Sequence, residues 1–250
     1  MRVDLNCDLG ESFGPYVIGD DRQVMAHVTS ANIACGAHAG DPGIMRATVR
    51  LARQANVAIG AHPGFADRGG FGRREIRMDH RDVEDLVLVQ IGALAAIARA
   101  EGIPLRHVKP HGALYNMAAR DRGIADAIAR AVASADPALI LIGLSGSTLL
   151  EAGRAAGLRV ASEAFADRAY DASGSLVPRT EPGAVIHNVA EVVARAIAMV
   201  RNKTVTALGG HVVPLVADTI CVHGDTLGAA ELAARLRTAL EAARIDVKPF

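Results

Sequence analysis

Hydrophobic and polar residues alternate strictly along residues 3–9, which is the pattern of a β-strand that buries one of its faces. The polar face of this strand carries Asp4, Asn6 and Asp8. On its own, this pattern is equally typical of a strand whose polar face meets water. Several later strands also end in His, Asp, Glu or Lys beside a glycine. We therefore interpret the strand ends as converging on a shared pocket.

Strand-like and helix-like segments alternate along nearly the whole chain. Strands are predicted at residues 3–7, 30–34, 57–61, 106–110, 138–144, 159–163 and 218–222. Helices are predicted at residues 21–27, 42–54, 79 or 82 to 101, 121–135, 148–156, 184–201 and 226–244. Aspartates mark helix starts, as at Asp41, which precedes a proline in the first turn, and Asp225 or Thr226 is predicted to cap the last helix. A short hairpin is predicted within residues 204–216.

Strands that alternate with helices imply a parallel sheet in an α/β protein. An open, doubly wound sheet gathers its site at one switch point and uses few strands for it. Here polar residues end every predicted strand except the fifth, and a closed barrel brings all of these ends together. We therefore expect one domain over residues 1–250 that forms a (β/α) barrel, for which this length is typical.

Composition narrows the class of function. The formal net charge is +0, which argues against electrostatic binding to nucleic acid or to an anionic membrane. The N-terminus shows no signal-peptide pattern, and no uncharged run is long enough to span a bilayer. The cysteines Cys7, Cys35 and Cys221 form no CxxC pair. We expect a soluble, cytoplasmic protein whose cysteines are reduced and act as small apolar side chains, none of them as a nucleophile.

Four histidines lie just past predicted strand ends, each near a glycine: His38, His62, His111 and His223. Any one of them could simply cap a turn, but four at the same topological position indicate a shared site. Two roles are open. A metal site would combine two or three histidines with a carboxylate, with Asp8, His38 and His62 as candidate ligands. A metal-free site would use one histidine or carboxylate as the general base and the others as hydrogen-bond donors.

Lysine is scarce in this chain, and one lysine lies within a predicted strand. Three of the 27 basic residues are lysines, and Lys109 stands between His107 and His111 at a spacing of two. The three side chains are therefore expected to face the same way. A buried ammonium can shift its pKa or stabilise a developing oxyanion. We interpret Lys109 as catalytic, and the alternative is a structural ion pair with a carboxylate.

Common nucleotide and nucleophile motifs are absent from the sequence. No GxxxxGK[ST] occurs, no GxGxxG follows the first strand, and GxSxG is missing. The sequence therefore shows no P-loop, no dinucleotide fingerprint and no nucleophile elbow. The glycine-rich loop at residues 64–74 carries three arginines that could hold a carboxylate or a phosphate. It is equally consistent with a lid or a solvated turn.

Six stretches of the chain together resemble the LamB/YcsF family, also called the 5-oxoprolinase A-subunit family. They are DLNCDLGE at 4–11, NIACGAHAGDP at 32–42, GAHPG at 60–64, VKPHGALYN at 108–116, EAFADR at 163–168 and CVHGD at 221–225. The resemblance extends from Val3 to the last helix. This family is similar in fold to the glycoside hydrolase and deacetylase group, which implies a distorted seven-stranded (β/α) barrel.

The resemblance implies one subunit of a three-part bacterial enzyme that opens 5-oxo-L-proline to L-glutamate, coupled to ATP hydrolysis. The partners would be two other 5-oxoprolinase subunits, and ATP would be used through the complex because this chain lacks a nucleotide motif. Whether a divalent metal takes part is open. Two alternatives belong to other classes. One is a metal-dependent deacetylase or polysaccharide hydrolase, and the other is a regulatory module that binds a lactam or a sugar.

The resemblance supports the positions of the site residues, to which we assign roles as hypotheses. Asp8 or His111 is expected to act as the base, and Lys109 and His62 are expected to stabilise developing charge. The residues expected to bind the substrate are Asn6, His38, Arg68, Arg73, Arg74, Glu163, Asp167, Arg168 and His223. An arginine of the 64–74 loop would hold the substrate carboxylate. Partner subunits are expected to dock over the loops at 64–74 and 167–180.

Overall fold

The structure, a computed structural model, describes residues 1–223 and 228–250, and of His223 it describes only the backbone. Its strands are β1 (Arg2–Leu9), β2 (Ser30–Ala34), β3 (Ala58–His62), β4 (Leu105–Val108), β5 (Ile140–Leu144), β6 (Arg159–Ala164), β7 (Thr204–Thr206), β8 (Val212–Pro214), β9 (Thr219–His223) and β10 (Asp246–Val247). Its helices are α1 (Asp21–Met25), α2 (Pro42–Ala55), α3 (His80–Ala100), α4 (Gly112–Ala118), α5 (Arg122–Ala135), α6 (Thr148–Ala155), α7 (Val189–Asn202) and α8 (Ala229–Ala242).

Seven parallel strands close into a barrel in the order β1-β2-β3-β4-β5-β6-β9, and β9 pairs back to β1. Closure is uneven. β1 and β9 pair from Asp4 to Asp8, whereas β6 and β9 pair at Glu163 with Thr219 and at the following position. The predicted α/β fold, a distorted seven-stranded (β/α) barrel, is confirmed, and an open sheet is excluded. β7 and β8 form the predicted antiparallel hairpin.

Most predicted element boundaries agree with the structure because aspartate caps mark several helix starts. The Asp41 side chain caps α2 in the predicted way. The sequence pattern does not predict the short α4, nor β10, which pairs with the start of β1. The helix expected from residue 184 begins instead at Val189, because the Asn188 side chain caps it there. The predicted caps Asp225 and Thr226 lie outside the described residues.

Apolar residues fill the layer between strands and helices, while the barrel interior is polar along most of its strands. β1 contributes Leu5 and Cys7 to the outer core. Inside the barrel, Ile140 and Ile142 of β5 form a small separate apolar cluster against Phe250. The polar interior therefore belongs mainly to the other strands. Among the described residues, no helix is both long enough and apolar enough to cross a membrane.

Candidate active site

Alternate residues of β1 point into the barrel and meet polar residues of the neighbouring strands. In the parallel register Asp8 lies beside Asn32 of β2, and Asn6 lies beside Cys221 of β9. β4 ends one residue before Lys109, whose side chain enters the same space. Asn6, Asn32 and Lys109 are buried. The polar strand ends of β1, β2, β4 and β9 therefore meet inside one end of the barrel.

Lys109 is the centre of a group that we call the lysine cluster: Asn6, Asp8, Lys109, Glu163 and Cys221. Its ammonium Nζ lies 2.9 Å from Asp8 Oδ1 and 2.9 Å from Glu163 Oε1. Cys221 Sγ is 3.0 Å away and Asn6 Oδ1 is 3.3 Å away. An ammonium has three N–H donors, so this lysine has a partner in every direction.

Charge fixes the protonation states in the lysine cluster. Burial by itself would lower the pKa of Lys109, but the negative charges of Asp8 and Glu163 outweigh burial and hold the pKa well above its usual value. Lys109 is therefore a positioned cation at neutral pH and not a base. Burial raises the pKa of the Cys221 thiol well above its ordinary value. Cys221 lies in the hydrophobic core as expected, and its sulfur in addition accepts from Lys109 Nζ at 3.0 Å. All three cysteines are free, as expected.

A second group, which we call the histidine cluster, adjoins the first and consists of Glu11, His38, His62 and His111. His62 Nε2 lies 3.0 Å from His111 Nδ1. The rings of His38 and His111 stack with their centroids 3.8 Å apart. Glu11 Oε1 is 3.6 Å from His38 Nε2 and 3.7 Å from His111 Nδ1. One nitrogen or oxygen atom from each of the four residues lies within 4.8 Å of the others, so this cluster could hold a metal ion.

Hydrogen bonds fix the orientation of two rings in the histidine cluster. His62 Nδ1 donates to the Lys109 carbonyl at 2.7 Å, and His111 Nε2 donates to the Phe71 carbonyl at 2.8 Å. A carbonyl oxygen can only accept, so each of these two nitrogens carries an N–H. Burial lowers the pKa of His111 to about 3 and that of His38 well below its usual value. Both of these rings are therefore neutral at pH 7.

Glycines of the loop after β3 let the chain pass directly over the histidine cluster. A Cβ atom at Gly64 would lie 2.7 Å from His38 Nδ1. A Cβ atom at Gly72 would lie 2.8 Å from His38 Cβ, and the backbone φ there is +62°. Both approaches are shorter than side chains tolerate, and the positive φ also favours glycine. The glycine-rich sequence of this loop thus reflects close packing on His38.

The arginines of the 64–74 loop differ in what they contact. Arg68 donates to two backbone carbonyls of the loop after β2, at 2.9 and 2.8 Å. Arg74 forms an ion pair with Asp67. These contacts hold the loop in place, and the substrate-binding roles of Arg68 and Arg74 stay predictions. Arg73 is exposed, with its guanidinium 4.9 Å from the centre of the Phe71 ring.

The predicted site residues after β6 and β9 also differ in what the structure shows of their contacts. Arg168 is buried and donates to the carbonyls of Val177 at 2.7 Å and Ala184 at 3.2 Å. It therefore holds the segment after β6 together, and its expected contact with a substrate finds no support in these bonds. Asp167 is buried at the start of that segment. His223 ends β9, and its side chain lies outside the described part of the chain.

The structure thus brings together Asp8, His62, Lys109 and His111, to which the sequence assigns catalytic roles. It adds Asn6, His38 and Glu163 from the residues expected to bind substrate. Sequence reasoning missed Glu11, Asn32 and Cys221 as site residues. Asn32 and Cys221 had a signal in the spacing of two, since Cys221 precedes His223 by two positions. Glu11 had none in that spacing, because it follows a turn at Gly10 with a φ of +70°.

The LamB/YcsF family matches residues 3–250 of this chain. The chain belongs to this family. A LamB/YcsF relative from Chloroflexus aggregans, named as the A subunit of 5-oxoprolinase, is 57% identical over 248 residues, which cover 99% of this chain and 98% of the relative. Another protein of that name, from Tolumonas auensis, is 54% identical over 247 residues and covers 99% of this chain and 98% of its own length.

Solved structures agree with the LamB/YcsF assignment. A lactam utilization protein from Thermus thermophilus superposes with a TM-score of 0.95 at 51% identity, covering 100% of both chains. A T48 deacetylase superposes with a TM-score of 0.50 at 13% identity, covering 98% of this chain and 86% of the other. At that identity the deacetylase shows a shared fold and gives no information about chemistry.

Proposed function

We propose that this chain is the A subunit of a 5-oxoprolinase and supplies the hydrolytic site that opens the ring of 5-oxo-L-proline to L-glutamate. Its family membership and its 57% identical relative of that name support the proposal. The observation that carries it is the lysine cluster, in which a buried ammonium lies 2.9 Å from two carboxylates beside three histidines. This arrangement supplies a base and a fixed positive charge at one point.

Hydrolysis of a lactam needs both of these groups. A water oxygen attacks the ring carbonyl carbon, the carbonyl oxygen gains negative charge, and the carbon–nitrogen bond then breaks with proton transfer to the nitrogen. A preorganised cation such as Lys109 stabilises the developing oxyanion, a contribution worth about 10²–10³-fold in rate. A carboxylate within hydrogen-bond reach of the water removes its proton, and such general-base catalysis raises the rate by about 10²–10⁴-fold.

Asp8 suits the role of base better than His111. The side chain of Asp8 is 13% exposed, compared with 3% for Lys109 and 0% for Glu163, so it is the carboxylate of the lysine cluster that water can reach. Both nitrogens of His111 are already engaged, Nδ1 facing His62 and Nε2 bonded to the Phe71 carbonyl. We therefore assign the proton transfer to Asp8 and leave His111 a positioning role.

Arg73 is the arginine of the 64–74 loop that we assign to the substrate carboxylate. It is exposed, and its guanidinium lies 4.9 Å from the centre of the Phe71 ring, which itself contacts the rings of His38 and His111, so Arg73 lies near the histidine cluster. Arginine binds a carboxylate through two parallel N–H bonds, which would orient the ring over Asp8 and Lys109. Arg68 and Arg74 are engaged in holding the loop.

ATP use belongs, in this proposal, to the complex. The sequence has no P-loop motif, and an unactivated lactam is a poor electrophile. Partner subunits would therefore transfer the γ-phosphoryl group of ATP to the lactam oxygen, with release of ADP, and would dock over the loops at 64–74 and 167–180, so that the activated ring passes to Asp8 without meeting bulk water. Water would open the activated ring to an acyl phosphate, and a second water would release L-glutamate and inorganic phosphate. The relatives are named as one lettered subunit of their enzyme, which is consistent with partners of this kind.

The test is a coupled assay for glutamate and ADP, first with the chain alone and then with the other two subunits. We expect ATP-dependent turnover only with the partners present, and an Asp8→Asn variant should lower kcat by about 10²–10⁴-fold. Asp246→Asn removes an exposed carboxylate that pairs with Lys248 and is the matched control. ATP-dependent turnover by the isolated chain contradicts the partner requirement. Turnover without ATP indicates an ordinary amide hydrolase or deacetylase, and ligand binding without turnover indicates a regulatory module.

A further inference from the structure

The strongest unexplained feature of the interior is a close contact between two histidine nitrogens. His62 Nδ1 and His111 Nε2 each donate an N–H to a backbone carbonyl, so the other nitrogen of each ring, His62 Nε2 and His111 Nδ1, faces the interior of the histidine cluster. These two nitrogens lie 3.0 Å apart. A cation or a shared proton between them would account for that distance. From this geometry we propose that Glu11, His38, His62 and His111 bind one divalent first-row transition metal ion.

The spacing of the donor atoms fits such an ion. Bonds of about 2.0–2.1 Å in a tetrahedral site place neighbouring ligand atoms about 3.3 Å apart. The observed separations are 3.0 Å between His62 and His111, 3.6 Å between Glu11 and His38, and 3.7 Å between Glu11 and His111. All four donor atoms lie within 4.8 Å of one another. Small side-chain movements suffice to close this set around an ion.

His38 distinguishes a metal ion from a shared proton. Both of its ring nitrogens are buried, and neither makes a hydrogen bond within the described part of the chain. A proton held between His62 and His111 would leave this imidazole unsatisfied, at a cost of about 1–3 kcal/mol for a buried polar group. A metal ion would instead take up His38 Nε2, which already faces Glu11 at 3.6 Å.

The surrounding groups resemble the outer shell of a metal centre. Histidines that bind metals usually donate their other N–H to a carbonyl or a carboxylate, which fixes the ring. His62 and His111 do this through the carbonyls of Lys109 and Phe71. Asp8 Oδ2 lies 3.3 Å from His62 Nε2, while Asp8 Oδ1 accepts from Lys109 and Asn32. Asp8 therefore lies next to the proposed metal site and is not one of its ligands. Glu11 and His111 complete the ligand set together with His38 and His62.

Ligand chemistry selects the class of ion. Imidazole nitrogens with one carboxylate favour Zn²⁺, Co²⁺, Ni²⁺ or Fe²⁺ over Mg²⁺ and Ca²⁺, which prefer sets of oxygen atoms. Such an ion can polarise a carbonyl or lower the pKa of a bound water. The inference does not rest on the proposed lactam hydrolysis, because its test measures binding and not turnover.

The test uses the full chain after dialysis against EDTA, titrated with Co²⁺ and followed by visible absorption, and then loaded with Zn²⁺ for elemental analysis. We expect one ion per chain and the intense absorption of low-symmetry cobalt. His38→Gln and His111→Gln should weaken binding by more than the roughly 10- to 100-fold that loss of an outer-shell partner costs. His38→Gln removes no hydrogen bond of the described structure, so this variant should fold and can be measured even if His111→Gln does not fold.

Two matched variants separate this centre from other ligands of the same chain. His80→Gln removes an exposed histidine, and Cys221→Ser removes the thiol beside Lys109. Both should bind Co²⁺ as the parent chain does. The proposal is overturned if the chain retains no ion, if His38→Gln binds as well as the parent, or if Cys221→Ser abolishes binding. Failure here would leave the turnover assay unaffected, so the two proposals fail separately.

Discussion

The lysine cluster and the histidine cluster lie side by side in the same barrel end, yet they satisfy their polar groups in different ways. Lys109 places one ammonium among Asp8, Glu163, Cys221 and Asn6, so donors meet acceptors at 2.9–3.3 Å. The histidine cluster instead brings a carboxylate oxygen and the nitrogens of three imidazole rings within 4.8 Å of one another. The first cluster is complete with protein atoms alone, whereas the second has the composition of a ligand set.

Asp8 belongs to both regions and links them. Its Oδ1 accepts from Lys109, and its Oδ2 lies 3.3 Å from His62 Nε2. The two clusters contain three carboxylates, those of buried Glu11 and Glu163 and of partly buried Asp8, and the ammonium of Lys109. A divalent ion among the histidines would add positive charge where acidic groups predominate. Lys109 thus offsets part of the buried negative charge with a protein group, and under the metal proposal a bound ion would offset more of it at the histidines.

Replacement of Lys109 should lower the free energy of unfolding more than the other substitutions, because it removes the ammonium that holds the lysine cluster together. Lys109→Met leaves buried Glu163 and partly buried Asp8 without their shared cation, and breaking a buried ion pair costs about 3–5 kcal/mol in the free energy of unfolding. Urea unfolding followed by circular dichroism measures this. Adding Glu163→Gln should restore part of the loss, because it removes one uncompensated carboxylate.

Lys203→Met is the matched control, since Lys203 is exposed, and it should change stability by less than about 0.5 kcal/mol. Equal unfolding free energies for Lys109→Met and the parent would show that the lysine does not hold the two carboxylates together. Absence of any rescue by Glu163→Gln would show that Glu163 and Lys109 are energetically independent.

The sequence predicts the lysine cluster more completely than the histidine cluster, for a physical reason. Residues at a spacing of two on one strand share a face, so the row of Asp4, Asn6 and Asp8 is visible in the sequence. Lys109 is visible by its rarity in a chain rich in arginine. Register between strands is not visible, and it is the register that sets Cys221 beside Asn6.

Reasoning from the spacing of residues along a strand fails for residues in loops. Glu11 reaches the histidines after a turn with positive φ at Gly10, and no periodicity extends through such a turn. The sequence groups the arginines of the 64–74 loop by charge alone, whereas in the structure Arg68 donates to the loop after β2 and Arg74 pairs with Asp67 of its own loop. The barrel could be predicted because hydrophobic periodicity and helix caps are local signals, but loop contacts depend on the tertiary structure.

The histidine cluster can be disturbed by a substitution outside its four residues. Gly72→Ala places a Cβ atom 2.8 Å from His38 Cβ and 2.9 Å from His111 Cδ2. We expect a loss of about 1–3 kcal/mol in unfolding free energy from overpacking, added to the cost of a positive φ. Gly14→Ala is the matched control, because its φ is +51° and a Cβ atom there would meet nothing within 4 Å. Equal losses in both variants would mean that φ alone matters and that the loop does not press on His38.

The smallest effect is expected at Asp4, where the polar row of β1 ends below the lysine cluster. Its carboxylate accepts from the hydroxyls of Thr29 at 2.7 Å, Ser30 at 2.6 Å and Thr219 at 2.6 Å. Burial raises the pKa of Asp4 despite these bonds. The folded state therefore holds the proton more tightly than the unfolded chain does. The resulting stabilisation is full below the unfolded pKa and is lost as the pH rises through the raised folded pKa.

Asp4→Asn cannot titrate, so the difference in unfolding free energy between the parent and this variant should be greatest at low pH. It should decline as the pH rises, by about 1.4 kcal/mol for each unit by which the pKa is raised. Urea unfolding of both proteins across the range above the ordinary aspartate pKa measures the decline, and the difference cancels groups that titrate alike in both. A difference that grows with pH would show that the three hydroxyl donors outweigh burial and hold Asp4 ionised. In that case Asp4 would add a further buried negative charge beneath Lys109, and the balance of the lysine cluster would extend to the bottom of the β1 row.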